Sequence, residues 1–147
     1  MDALDYAWKA ATVWTVGFVP LTELYIAVPT GMALGLDPVS AVLWTVLGNY
    51  APVLLIHWAY ERLRRMPQLA AWFDRLASRR WRERIETGGP LAIILLTPLA
   101  GVWATAVTMK ALRIDSNGFL LWSFVSVVGF SALTAVLVGL GVDFLAA

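Results

Sequence analysis

Apolar residues fall into four long blocks, at roughly 6–36, 38–60, 89–112 and 117–145. Each reaches the ~20 residues that a helix needs to cross a ~30 Å hydrocarbon core. The second and fourth are the cleanest spans. Each follows a helix-start signal, Asp37 before Pro38 and Asp115-Ser116 before Asn117, where a short polar side chain caps the first amides. The first and third are interrupted, at Pro20 to Pro29 and at Pro98 to Gly101. Proline inside a helix removes a backbone donor and clashes with the preceding turn. In hydrocarbon, the carbonyls it frees must find partners within the protein.

One strongly polar stretch separates the second and third blocks. Residues 61–86 hold eight of the eleven basic residues (Arg62, Arg64, Arg65, Arg75, Arg79, Arg80, Arg82 and Arg84) against four acids, a net charge of +4. After Pro67, Leu69, Phe73, Ala77, Trp81 and Ile85 recur every fourth residue, flanked by Trp72 and Leu76. That spacing predicts an amphipathic helix with a basic rim, lying in the interface against anionic lipid. The positive-inside rule puts this linker, 61–87, in the cytoplasm. It acts either as a gate or headgroup-attracting surface, or as a linker that only sets topology.

Composition agrees. The chain of 147 residues is 60% hydrophobic and only 14% charged, with a mean hydropathy of +0.73; soluble domains carry about 25% charged residues. We read an integral membrane protein forming a single membrane domain, 1–147, of the prokaryotic cytoplasmic (inner) membrane. The N-terminus lacks the basic n-region of a cleaved signal peptide. With no cysteine and one histidine, thiol chemistry is excluded and neither a metal site nor a cofactor is expected. No nucleophile elbow, phosphate loop or nucleic-acid motif is present, so we expect neither an enzyme nor a nucleic-acid binder.

A shift of 78 residues aligns the two halves without a gap. Pro20-Leu21 falls on Pro98-Leu99, Thr30 on Thr108, Asp37 on Asp115 and Leu43-Trp44 on Leu121-Trp122. Repeats with interrupted segments at matching positions point to a transporter site. The predicted fold is therefore all-α. Repeat one (about 10–60) and repeat two (about 88–145) each form a broken re-entrant hairpin plus a transmembrane helix. The two are inverted and joined by the basic interfacial helix. The alternative is a plain four-helix bundle.

Glu23 is the leading candidate for function. An isolated acid in an apolar segment costs at least ~2.5 kcal/mol at the bilayer centre. Desolvation raises a carboxyl pKa towards neutrality, which suits a reversible proton carrier; the structural alternative is an acid bonded to backbone amides at a hairpin tip. Asn49, in Gly48-Asn49-Tyr50-Ala51-Pro52, either satisfies backbone groups released by Gly48 and Pro52 or donates to an anionic headgroup. Gly101 permits a tight turn whose amides could hold an anion. Lys110 either holds a phosphate or snorkels to the interface, as Arg113 does. Tyr25, His57 and Trp103 are read chiefly as packing or interface residues, with Tyr25 kept as a candidate. Pro20, Pro29, Gly31, Gly48, Pro52 and Pro98 are the structural breaks. Gly31 and Gly35 form a small-xxx-small pair suited to close helix packing, and a homodimer is expected.

Pro20, Glu23, Pro29 and Gly31, then Gly48, Asn49 and Pro52, then Pro98, Leu99 and Gly101 resemble three motifs of a family of bacterial and archaeal membrane proteins named for small multi-drug export. Tyr25 stands where that family has arginine, and Ala100, Val102 and Trp103 replace its Pro, Thr and Gly. The family is similar in pattern to the DedA-like superfamily. That resemblance implies two inverted re-entrant hairpins and, for some members, movement of polyprenyl phosphate or phospholipid. Three functions follow: proton-coupled translocation of a lipid phosphate such as undecaprenyl phosphate, proton-coupled export of hydrophobic cations, or a non-transporting scaffold.

Overall fold

The computed structural model describes residues 2–20, 22–76, 79–111 and 116–146. Among the described residues seven helices follow in order: α1 (Ala3–Phe18), α2 (Glu23–Ala33), α3 (Pro38–Leu63), α4 (Pro67–Leu76), α5 (Arg79–Ala100), α6 (Val102–Ala111) and α7 (Ser116–Ala146). Among the described residues there is no strand. Two stretches are long and apolar enough to cross a membrane, Pro38–Leu63 and Asn117–Gly141. They are the two blocks whose sequence pattern is unbroken. The chain divides into two compact units. Unit 1 comprises Met1–Asn49 and Val127–Ala147, and unit 2 comprises Tyr50–Ser126.

In unit 1, α1 and α2 form an antiparallel hairpin. A Cβ placed on Gly31 would lie 3.0 Å from Val13 Cγ2, and one on Gly35 would lie 3.9 Å from Lys9 Nζ, so residues nine and thirteen before the turn-centre residue 22 face those nine and thirteen after it. Asp2 starts α1 by accepting from the Asp5 amide at 2.7 Å. Gly35, with φ of 85°, ends α2. The Leu36 amide reaches back to Gly31 O and the Gly35 amide to Met32 O, both at 3.0 Å, the paired bonds of a Schellman cap. Asp37 then caps α3, accepting from the Ser40 amide at 3.0 Å, with Pro38 at the first helical position, where its missing N–H costs nothing. Val13, Ala27, Leu36 and Ala41 form the small core here. Both glycines of the small-xxx-small pair are thus used within the chain. Gly31 sits against Val13 and Ala41 and Gly35 closes the helix.

The helices α1 and α3 cross at contact between backbones. A Cβ on Gly48 would fall 2.1 Å from Trp14 O, and one on Gly17 would fall 3.1 Å from Thr45 O. Pro29 and Pro52 lie inside continuous α2 and α3 rather than interrupting them, so the break in the first block narrows to residues 19–22.

In unit 2, the basic linker is not one helix. The end of α3, then α4, then the start of α5 divide it. Ala77 and Asp115 lie outside the described residues, as do Arg113 and the side chains of Trp81 and Ile85. Phe73 is buried and stacks on Tyr60 at 5.5 Å between centroids, while Trp72 meets Trp103 edge-on at 5.3 Å. Arg64 donates to Tyr60 Oη at 2.9 Å and to Asp74 at 3.3 Å. The apolar face of α4 therefore packs on protein, and its exposed Arg75 remains for the surface. Gly89, at φ 54° and ψ −140°, interrupts α5. Its last part, 90–100, and the ten-residue α6 are each only about 15–17 Å long at ~1.5 Å per residue.

Candidate functional site

The breaks are organised by the carbonyls that proline frees. Residue i accepts no i+4 bond when i+4 is proline. Pro20 thus frees Val16 O, and Pro98 frees Ile94 O, positions related by the offset of 78. Both are filled by a hydroxyl, by different routes. Thr22 Oγ1 turns back to Val16 O, a local solution. Ser126, on α7, donates to Ile94 O at 2.6 Å, a solution from a distant helix. The neighbouring Gly17 O, at the frayed end of α1, accepts from Asn49 Nδ2 of α3 at 3.1 Å. Asn49 is fully buried, and its amide serves α1 rather than the groups released by Gly48 and Pro52. Its Oδ1 and, one turn earlier, Thr45 Oγ1 are buried without a protein partner.

The residue that opens α2 and the residue between α5 and α6 both have a positive, left-handed φ. Glu23 has φ of 44° and Gly101 has φ of 86°, and the same offset carries one onto the other. Glycine adopts this region freely; for an L-residue it costs roughly 1–2 kcal/mol. Gly101 O starts α6, accepting from the Thr105 amide at 3.0 Å and from Thr105 Oγ1 at 2.8 Å. Glu23 is half-buried at the N-terminus of α2, where the helix dipole favours an anion. Tyr25, 46% exposed, lies near enough to feel its charge.

Unit 1 therefore holds Glu23, Tyr25 and Asn49, and unit 2 holds Gly101 and Lys110. Lys110 ends α6 half-buried and acts electrostatically on His57, whose Nδ1 is buried without a partner. Sequence reasoning missed Thr22, Ser126 and Thr45. Their signal was weak: hydroxyls in apolar helices usually bond back to their own turn, and nothing local marks one that reaches another helix. Among the described residues no cluster of acids and histidine could hold a metal ion.

Two helices long and apolar enough to cross a membrane, among the described residues, fit a membrane protein. The chain belongs to the family described as putative small multi-drug export protein, whose model matches residues 23–136. The match opens on Glu23 and takes in all three motifs from there to Gly101. No curated protein and no solved structure matches the chain.

Proposed function

We propose that this protein is a small exporter of the prokaryotic inner membrane that exchanges protons for hydrophobic cations at Glu23. The observation that carries this reading is the residue's backbone. Glu23 occupies a left-handed position whose counterpart is glycine, so a carboxylate stands there at the cost of strain as well as of desolvation. Glycine would fill that position without strain. In the protonated state the site releases its cation; in the ionised state it attracts one. Proton and substrate thus compete for one charge, which couples their movements.

The short arms support a re-entrant arrangement. At about 15–17 Å, segments 23–33, 90–100 and 102–111 reach half of a ~30 Å core. The DedA-like resemblance and the matched breaks agree with two such hairpins in inverted copies, with the basic linker cytoplasmic and with a dimer completing the path. Undecaprenyl phosphate is the weaker substrate reading. The family name favours drug export, and Lys110 is the sole cation among the proposed site residues.

Transport by proteoliposomes with an imposed pH gradient tests the proposal. Tetraphenylphosphonium efflux is expected to vanish in Glu23→Gln and in Glu23→Gly, although Glu23→Gly relieves roughly 1–2 kcal/mol of backbone strain and should melt no lower than wild type. Gradient-driven efflux by Glu23→Gln at the wild-type rate would sink the mechanism. Saturable retention of undecaprenyl phosphate without cation binding would transfer the proposal to the lipid.

A further inference from the structure

Within unit 1, α1 and α3 flank a groove of about 460 Å³ walled by Tyr6, Trp14 and Trp44 and floored by Ala7, Ala10 and Ala11. The volume suits a drug-sized ligand. Trp14 is held by stacking on Phe18, with centroids 5.3 Å apart. The other lining hydroxyl besides that of Tyr6, that of Thr15, turns back to Ala11 O, which leaves ring faces and methyl groups as the groove's surface.

One hydrogen-bond chain runs from this surface to a carboxylate. Trp44 Nε1 donates to Tyr6 Oη at 2.9 Å, and Tyr6 donates to Ser40 Oγ at 3.2 Å. Asp37 in turn accepts from the Ser40 amide at 3.0 Å, so the donors run in order from Trp44 towards that carboxylate. The charges at this end are Asp2, Asp5 and Asp37 against Lys9 and the amino terminus, whose charge Asp5 feels. Lys9 is paired with Asp5 at 2.8 Å, which leaves an acidic excess.

From the aromatic walls, the acid-directed chain and this charge balance, we propose that the groove binds a lipophilic aromatic cation. Cation–π attraction and the acidic rim select the charge, and the apolar walls select the rings. An acyl chain would use the walls and leave the rest idle. The α1 wall lies outside the family match of 23–136, whereas Trp44 lies within it. The groove's service as a loading site for export rests on the exporter reading; the binding itself does not.

Tetraphenylphosphonium and tetraphenylborate share shape and differ in charge. Titrating each into the full chain in nanodiscs, followed by tryptophan quenching and corrected for empty nanodiscs, tests the site. The cation is expected to bind at least about tenfold more tightly. Asp37→Asn (which keeps a capping side chain) and Trp44→Leu should weaken it at least about fivefold. Tyr6→Phe, which keeps the ring and loses the link, should weaken it less, and serves if Trp44→Leu fails to fold. Gly129→Ala, whose added methyl meets nothing within 4 Å, should leave it within about twofold. Equal binding of the two ions, or binding of neither, overturns the inference. Selectivity that survives Asp37→Asn and Trp44→Leu but disappears in Glu23→Gln overturns the groove and leaves the exporter reading standing. The expected groove pattern together with normal transport by Glu23→Gln leaves the groove and removes the mechanism.

Discussion

Gly48→Ala is the sharpest test of the crossing between α1 and α3. Judged by helix propensity alone, the change should stabilise α3 by about 1 kcal/mol. Packing argues the other way. The new methyl would sit 2.1 Å from Trp14 O, where real contacts stay beyond 3.0 Å, so the two helices must part by about 1 Å. Overpacking of this sort costs about 1–3 kcal/mol, and the upper end applies because the obstacle is backbone that cannot swing aside. Parting the helices also stretches the 3.1 Å bond from Asn49 to Gly17 O, leaving a buried amide unmet at about 1–3 kcal/mol. The net effect is a destabilisation of roughly 2–4 kcal/mol, which lowers the melting temperature by roughly 5–15 °C for a chain of this size. Thermal unfolding in detergent, followed by tryptophan fluorescence, measures it. Gly129→Ala is the control, since its Cβ meets nothing within 4 Å; it should be neutral or stabilising by up to about 1 kcal/mol. A Gly48→Ala protein that melts with or above wild type refutes the argument. Equal losses at both positions would point to glycine flexibility rather than contact.

Two further expectations follow from the caps. Ser126→Ala strands Ile94 O and should cost about 1–3 kcal/mol; in a Pro98→Ala background a restored backbone N–H takes over that carbonyl, so a double-mutant cycle should show coupling of at least about 1 kcal/mol, and strict additivity would show that the serine does not answer the proline. The Ser40 hydroxyl and amide hold Asp37 below its ordinary 3.8, so the stabilisation it provides is full above pH about 4 and is lost as pH falls through the lower folded value; melting temperature against pH from 7 to 3 should drop more steeply in wild type than in Asp37→Asn, and parallel curves would refute the assignment.

The elements legible in the sequence are those whose causes are local. Asp37-Pro38 announces the start of α3 through a cap and a ring, and the structure carries both. Pro20 announces the break before α2, whereas Pro98 is carried inside α5 and the non-helical residue that follows α5 is Gly101; in both cases a missing N–H frees a carbonyl within one turn. Glu23 and Asn49 stand out because polar groups in apolar runs demand an explanation. The basic linker misled for the same reason. Its four-residue spacing is a true amphipathic signal, yet periodicity cannot say whether Phe73 faces lipid or Tyr60. Pro29 and Pro52 likewise read as breaks, although longer helices carry them without interruption.

By itself, then, the sequence determined the membrane class, the two clean spans, the matched interruptions and the carboxylate beside the first of them. All of these follow from composition, period and backbone chemistry over a few residues. Only the tertiary structure decided which group answers each freed carbonyl, Thr22 nearby for Val16 and Ser126 on a distant helix for Ile94. It alone set Glu23 in the backbone geometry of Gly101, brought Gly48 against Trp14 O, and drew Trp44, Tyr6, Ser40 and Asp37 into one chain. These are meetings between residues far apart along the polypeptide, governed by the way helices cross, and a linear pattern records no partner for any of them.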